Sequence, residues 1–226
     1  MSGVRQLINK PPKSTEATNQ DTWLIELLDT TLGHYNAKNN KGKFYPSSLG
    51  NVCNRFLYFS YNGLMPKQYI EPTLQRIFDC GDALGTRFEK YFERMGVLLG
   101  VEVPVKCENP VMSGRIDFVI KHTEYPQAVV ELKSINSRGF KALLDKPKPD
   151  HIVQIQIYLN LYDVDHGIVL YENKNDQQVK AFVVKRDEEA WKKIQDRCFT
   201  IMNMSEPPAK CTGPKYCPCR GVECPN

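Results

Sequence analysis

No run of about 18 consecutive apolar residues occurs in this 226-residue chain, so no segment is expected to span a membrane. The opening residues, Met-Ser-Gly-Val-Arg-Gln, lack the apolar core of a secretory signal. The expectation is a cytoplasmic, reducing location, where structural disulfides are uncommon. A strong charge of either sign is also missing. The net charge of +4 permits nucleic-acid binding without arguing for it, so any such role must come from local patches. No internal repeat is visible. What is present is ordinary for a globular chain, with 41% hydrophobic and 25% charged residues, enough for one medium-sized domain with a true core. Cysteine is unevenly placed: Cys211, Cys217, Cys219 and Cys224 crowd into the last sixteen residues. In a reducing compartment such crowding points to metal or cluster ligation before disulfides.

Residues 1–20, rich in Lys, Pro, Ser, Thr, Asn and Gln, suggest a flexible tail. Helical spacing of Trp23, Leu24, Leu27, Leu28 and Leu32 predicts a helix over 21–35. The Asn- and Lys-rich residues 36–46 form a loop, solvated or phosphate-contacting. Ser47 or Ser48 is a candidate cap for a short helix, and Gly63 for the end of the next. A long helix is expected over 72–95 with Gly96 at its end. Strands follow near 100–106, 113–120 and 128–134, then a short helix over 138–144 and a stronger one over 150–164. Strands near 167–172 and 178–184 and a helix over 187–204 precede Pro207-Pro208 and the cysteines. This order predicts an α/β (α+β) fold with one central mixed sheet. Residues 21–205 would form the main domain and 206–226 a Cys-rich tail.

The chemistry centres on Gly114-Arg115-Ile116-Asp117 and on Glu131-Leu132-Lys133, which begins fourteen residues after that Asp. Both stretches alternate with period two, placing Ser113, Arg115 and Asp117 on one face of the first strand and Val129, Glu131 and Lys133 on one face of the second. Paired as a hairpin around 121–127, the strands would bring two carboxylates and a lysine together. Like charges across a ladder destabilise it, and a divalent cation between them removes the penalty. An E-x-K triplet alone is weak evidence, because roughly one is expected by chance. Glu172-Asn173-Lys174 is a second copy, in a turn context where solvated side chains are expected. Glu131 and Lys133 instead end an apolar strand and call for partners. On the long helix Gly81, Gly85 and Glu89 share an i, i+4 row. Two mid-helix glycines cost roughly 1 kcal/mol each relative to alanine, which suggests close approach of another element. On the 150–164 helix, apolar nearly all round, Gln154 and Tyr158 form one polar i, i+4 row.

A helix Glu, then G-x-x-D, then E-x-K, then Q-x-x-x-Y, over residues 81–162, resembles the PD-(D/E)XK nuclease superfamily, specifically its RecB-type exonuclease branch. Many members carry His at the position of Glu89. The resemblance implies an αβββαβ restriction-endonuclease-like core. The cysteines add a second resemblance. Cys53 precedes the nuclease motifs, while Cys211, Cys217, Cys219 and Cys224 follow them, similar to the iron–sulfur CRISPR-associated exonuclease family and AddB-type nuclease domains. The five residues between Cys211 and Cys217 depart from the usual tail spacing. The implied ligands of a [4Fe-4S] cluster are Cys53, Cys211, Cys217 and Cys224, with Cys219 possible in place of Cys217. The alternative is Zn2+ held by the four tail cysteines. Cys80, Cys107 and Cys198 are expected to be buried.

The resemblance further implies a Mg2+- or Mn2+-dependent deoxyribonuclease acting exonucleolytically on DNA, single-stranded or with free ends. Glu89, Asp117, Glu131 and the Leu132 carbonyl would be metal ligands, Lys133 would act at the phosphate, and Gln154 and Tyr158 would position the strand or Lys133. Arg115 could contact a neighbouring phosphate. No helicase motif is present, so unwinding would need a helicase, CRISPR or recombination partner. The competing expectations are a non-catalytic DNA-end-binding module of the same fold and a zinc- or redox-sensing protein.

Overall fold

Alternating hydrophobic residues between 98 and 135 generate three consecutive strands, and each change to a 3.6-residue period starts a helix. The computed structural model describes residues 22–36 and 41–210. In chain order the elements are α1 (Thr22–Leu32), β1 (His34–Tyr35), α2 (Pro46–Leu49), α3 (Asn54–Tyr61), β2 (Tyr69–Ile70), α4 (Pro72–Arg94) and β3 (Leu98–Glu108). Then come β4 (Val111–Ile120), β5 (Ala128–Ile135), α5 (Ser137–Ala142), α6 (Pro149–Tyr162), β6 (His166–Asn173), β7 (Val179–Lys185) and α7 (Glu188–Met202).

One five-stranded sheet has the order β3-β4-β5-β6-β7. Its pairs are antiparallel except β5–β6, which are parallel and joined by a crossover through α5 and α6. This is the mixed sheet flanked by helices that the sequence predicts, with β7 added beyond β6. Helices cover both faces because both faces are apolar. On one, Leu84, Phe88 and Phe92 of α4 bury an i, i+4 row against Phe118, Ile120, Val130 and Leu170. Each such buried side chain contributes roughly 2 kcal/mol. On the other face Ile155, Tyr158 and Leu159 of α6 join Ile116, Val119, Val129 and Val169.

Helix α6 is buried along most of its length, as expected, and its glutamines are bonded. Gln156 donates to the Lys185 carbonyl at 2.7 Å and accepts from the Asp187 amide at 3.0 Å, which ties the end of β7 to the start of α7. Asp187 then caps α7 through the amides of Glu189 and Ala190. The expected glycine ends hold: Gly63 and Gly96 follow α3 and α4 with φ of 68° each.

Two local expectations are corrected. Ser47 and Ser48 lie inside α2, which starts at Pro46. The cap of α3 is Cys53, whose sulfur accepts from the Phe56 amide at 3.4 Å. Of the cysteines expected to be buried, Cys198 is fully so and Cys107 partly, but Cys80 is exposed because it falls on the solvent side of α4. The tail over residues 1–20 and Cys211, Cys217, Cys219 and Cys224 lie outside the described residues.

Candidate functional site

The site forms where β4 and β5 part. Their ladder runs Ile120↔Ala128, Val119↔Val129, Phe118↔Val130 and goes no further. At the next position the Asp117 side chain replaces the missing strand partner: its carboxylate accepts the Leu132 amide at 2.8 Å. The expected alternation over 113–120 breaks at the same point. Ile116 joins the cluster on the α6 side, whereas Phe118 and Ile120 join the one on the α4 side. Across from Asp117 on β3, Glu102 has φ of 50°, a left-handed conformation uncommon for a non-glycine residue and costly in the middle of a strand. Such strain recurs at functional sites. Strand β5 keeps its alternation, which puts Glu131 and Lys133 toward α6.

Gly114 has a steric reason to be glycine. A Cβ there would sit 2.8 Å from the Pro46 ring and 3.1 Å from the Tyr158 ring. The G-x-x-D motif therefore lets α2 and α6 close over β4. Tyr158 accepts a hydrogen bond from the Gln154 amide nitrogen at 3.2 Å, so the predicted polar row exists and is buried. Burial, reinforced by the charge of Glu131, raises the Tyr158 pKa, so the phenol stays protonated.

Glu131 is 1% exposed. One of its oxygens is engaged by the Lys133 ammonium, and the other, Oε2, is buried with no hydrogen-bond partner among the described residues. Burial first, and then the charge of Asp117, push its carboxyl up to about 8 against the opposing pull of Lys133. Asp117 is raised too, chiefly by burial, while the Leu132 amide and Lys133 hold it down. Two carboxylates sharing one lysine are short of positive charge. Hard oxygen donors, one of them without a partner, fit a divalent cation such as Mg2+ or Mn2+.

Asp117, Leu132 and Lys133 open into a cleft of about 540 Å3 that Glu89 and Glu102 also line. The structure thus brings Asp117, Glu131, Lys133, Gln154 and Tyr158 together, with Glu89 on the facing α4 wall. Among the described residues, however, no three His, Cys, Asp or Glu side chains gather at metal-binding separations. The expected close approach along the Gly81–Gly85 row is overturned. A Cβ at either position would meet nothing within 4 Å, and both glycines line the open cleft. Arg115 is 70% exposed and pairs with Glu102 at 2.9 Å.

The expectation that Glu172 is solvated is also overturned. It is 6% exposed and bridged by Arg87 of α4 at 2.5 Å. The burial comes from β6 lying parallel to β5, with Glu172 beside Ser134. A second feature, unforeseen from sequence, is the pair His151–Tyr171. The Tyr171 hydroxyl lies 2.6 Å from the His151 ring nitrogen Nδ1 and accepts the Lys148 amide at 3.0 Å. Burial, together with Lys133 and Lys148, lowers His151 to about 4 despite Asp150, so it is neutral at pH 7 and can accept from Tyr171. The available signal was helical spacing, since His151, Gln154 and Tyr158 lie at i, i+3 and i+7.

No protein-family model matches this chain, and no curated protein matches it. Among solved structures it is similar to the crystal structure of SSO0001, with a TM-score of 0.50 and 21% identity, covering 80% of this chain and 84% of that one. It is also similar to LHK-Exo in complex with dAMP, an alkaline exonuclease from Laribacter hongkongensis, with a TM-score of 0.48 and 18% identity over 72% of this chain and 87% of that one. A phage-related exonuclease from Haemophilus somnus 129PT has a TM-score of 0.44 and 15% identity over 69% and 78%. The likeness to SSO0001 is one of fold.

Proposed function

We propose that the chain is a metal-dependent deoxyribonuclease of the PD-(D/E)XK kind, acting exonucleolytically on DNA, with single strands or free ends favoured. The observation that carries this reading is the buried Asp117–Glu131 pair, with a Glu131 oxygen that has no partner among the described residues and Lys133 beside it at the cleft wall. Glu89, Asp117, Glu131 and the Leu132 carbonyl would hold Mg2+ or Mn2+, which when bound supplies positive charge at the scissile phosphate and acidifies a water. The chain's own residues do the remaining work. The Leu132 amide fixes Asp117. Lys133, beside Glu131 at the cleft wall, would stabilise charge developing on the phosphorus oxygens. Gln154 and the protonated Tyr158 hold Lys133 or the strand in place. Lys133→Ala should abolish Mn2+-dependent degradation of labelled DNA while leaving the fold intact. Retained activity in a clean preparation would sink the assignment, and metal-independent binding without cleavage by the native chain would favour an end-binding module.

For the cysteines we propose a structural [4Fe-4S] cluster held by Cys53, Cys211, Cys217 and Cys224, with Cys219 as the alternative to Cys217 and Zn2+ as the alternative metal. Two contacts support it. Arg55 donates to the Pro208 carbonyl and Tyr58 to the Ser205 carbonyl at 3.3 Å, so the chain leaving α7 is laid along α3, the helix that Cys53 caps. Such a cluster would close a loop of more than 150 residues, and its binding energy becomes folding energy. Anaerobically purified protein should be brown, and Cys53→Ala colourless and unstable. A brown, fully stable variant would exclude Cys53 as a ligand.

A further inference from the structure

The second E-x-K triplet ends in a lysine that faces the same cleft as the first. Parallel pairing sets Lys133 beside Tyr171, Ser134 beside Glu172 and Ile135 beside Asn173. Lys174 therefore emerges just past the end of β5, and it lines the cleft with Asp117, Lys133 and Ser134. Its backbone is pinned. The Lys174 amide donates to the Ile135 carbonyl at 2.8 Å, and buried Asn173 accepts from the Asn175 amide at 3.2 Å and the Ser137 hydroxyl at 3.2 Å. Glu172, two residues before, is held by Arg87 from the opposite wall.

The charges of the cleft are uneven. Asp82, Glu89, Glu102 and Asp117 line it, against Lys133 and Lys174. Lys133 is engaged by Glu131, whereas the Lys174 ammonium has no ion-pair partner among the described residues. A polyanion entering a cleft with this many carboxylates needs a cation that is free to meet it. The opposing wall, at Gly81 and Gly85, carries no side chain that would exclude a strand.

We propose that Lys174 is a strand-binding residue, contacting a backbone phosphate of a nucleic-acid strand next to the phosphate at Lys133. The proposal rests on the nuclease reading for the identity of the ligand. Because Lys174 contributes binding and not bond cleavage, its loss should raise KM and leave kcat nearly unchanged.

The test is binding of a labelled single-stranded oligodeoxynucleotide to the full chain in chelator, at several salt concentrations, for the native protein, Lys174→Glu and Lys174→Arg. Lys174→Glu should weaken binding about tenfold and lower the slope of log affinity against log salt by about 0.7, the value for one single-strand phosphate contact, with Lys174→Arg close to native. Native affinity and slope in Lys174→Glu would overturn the proposal, as would failure of the native chain to bind the oligonucleotide. If Lys174→Glu binds weakly but the native chain cuts no DNA with Mn2+, the strand contact stands and the nuclease reading falls.

Discussion

The chain carries the same triplet twice, on adjacent parallel strands, and the two copies have different partners. In Glu131-Leu132-Lys133 the buried glutamate has, among the described residues, only its own lysine, and one oxygen is left without a partner. In Glu172-Asn173-Lys174 the buried glutamate takes an arginine from α4, and its lysine is left without an ion-pair partner among the described residues. The difference lies in which strand position opens toward another cation, not in the residue types. A carboxylate answered by a fixed guanidinium is structural. A carboxylate answered only in part can accept a metal.

The sharpest test of this contrast is activity. Lys133→Ala should lower Mn2+-dependent turnover by at least about 100-fold, whereas Lys174→Ala should cost no more than about tenfold, mostly in KM. Equal losses would erase the distinction between the triplets.

Stability should move the other way. Arg87→Ala leaves Glu172 buried without its partner and should cost about 2–3 kcal/mol in urea unfolding, the partial exposure of Arg87 keeping this below the cost for a fully buried pair. Adding Glu172→Gln should restore most of it. A single variant as stable as the native chain would show that the bridge holds nothing in place.

The third expected effect is a slope with pH. With its carboxyl pushed up to about 8, folded metal-free protein keeps a proton on Glu131 that the unfolded chain releases near the ordinary value of 4.5. Stability should therefore fall as pH rises from about 4.5 toward about 8, and Glu131→Gln should flatten that fall. Urea midpoints at about pH 5 and about pH 8 measure it, and an unchanged slope in Glu131→Gln would place the proton elsewhere.

Much of this was legible in the sequence. The apolar row Leu84, Phe88, Phe92 and the alternation of 128–134 each report one period, and Gly63 and Gly96 punctuate the chain, so α4, β5 and α6 fall within a few residues of their expected places. Gln154 and Tyr158 were paired by helix geometry alone. What escaped depends on residues distant in the chain. Glu172, buried by β5, takes its partner from Arg87, 85 positions earlier. The break in alternation at Asp117 follows from a carboxylate taking an amide that a strand would have taken. The glycines of α4 mark the right row of the helix, but the expected neighbour is absent there. Their helical cost leaves space and not contact, and nothing local distinguishes the two.

The crossover between β5 and β6 has a consequence for how the centre comes into being. Asp117 and Glu131 stand on one side of it, Gln154 and Tyr158 within it, and Glu172 beyond it. A parallel pair closed through two helices is among the slower contacts for a chain to make. The hairpin of β4 and β5 can form early, yet without α6 and β6 its acidic end stays hydrated and unfocused. Assembly of the Asp117–Glu131 cleft and completion of the fold thus coincide, and a chain that opens locally at β6 loses the one when it loses the other.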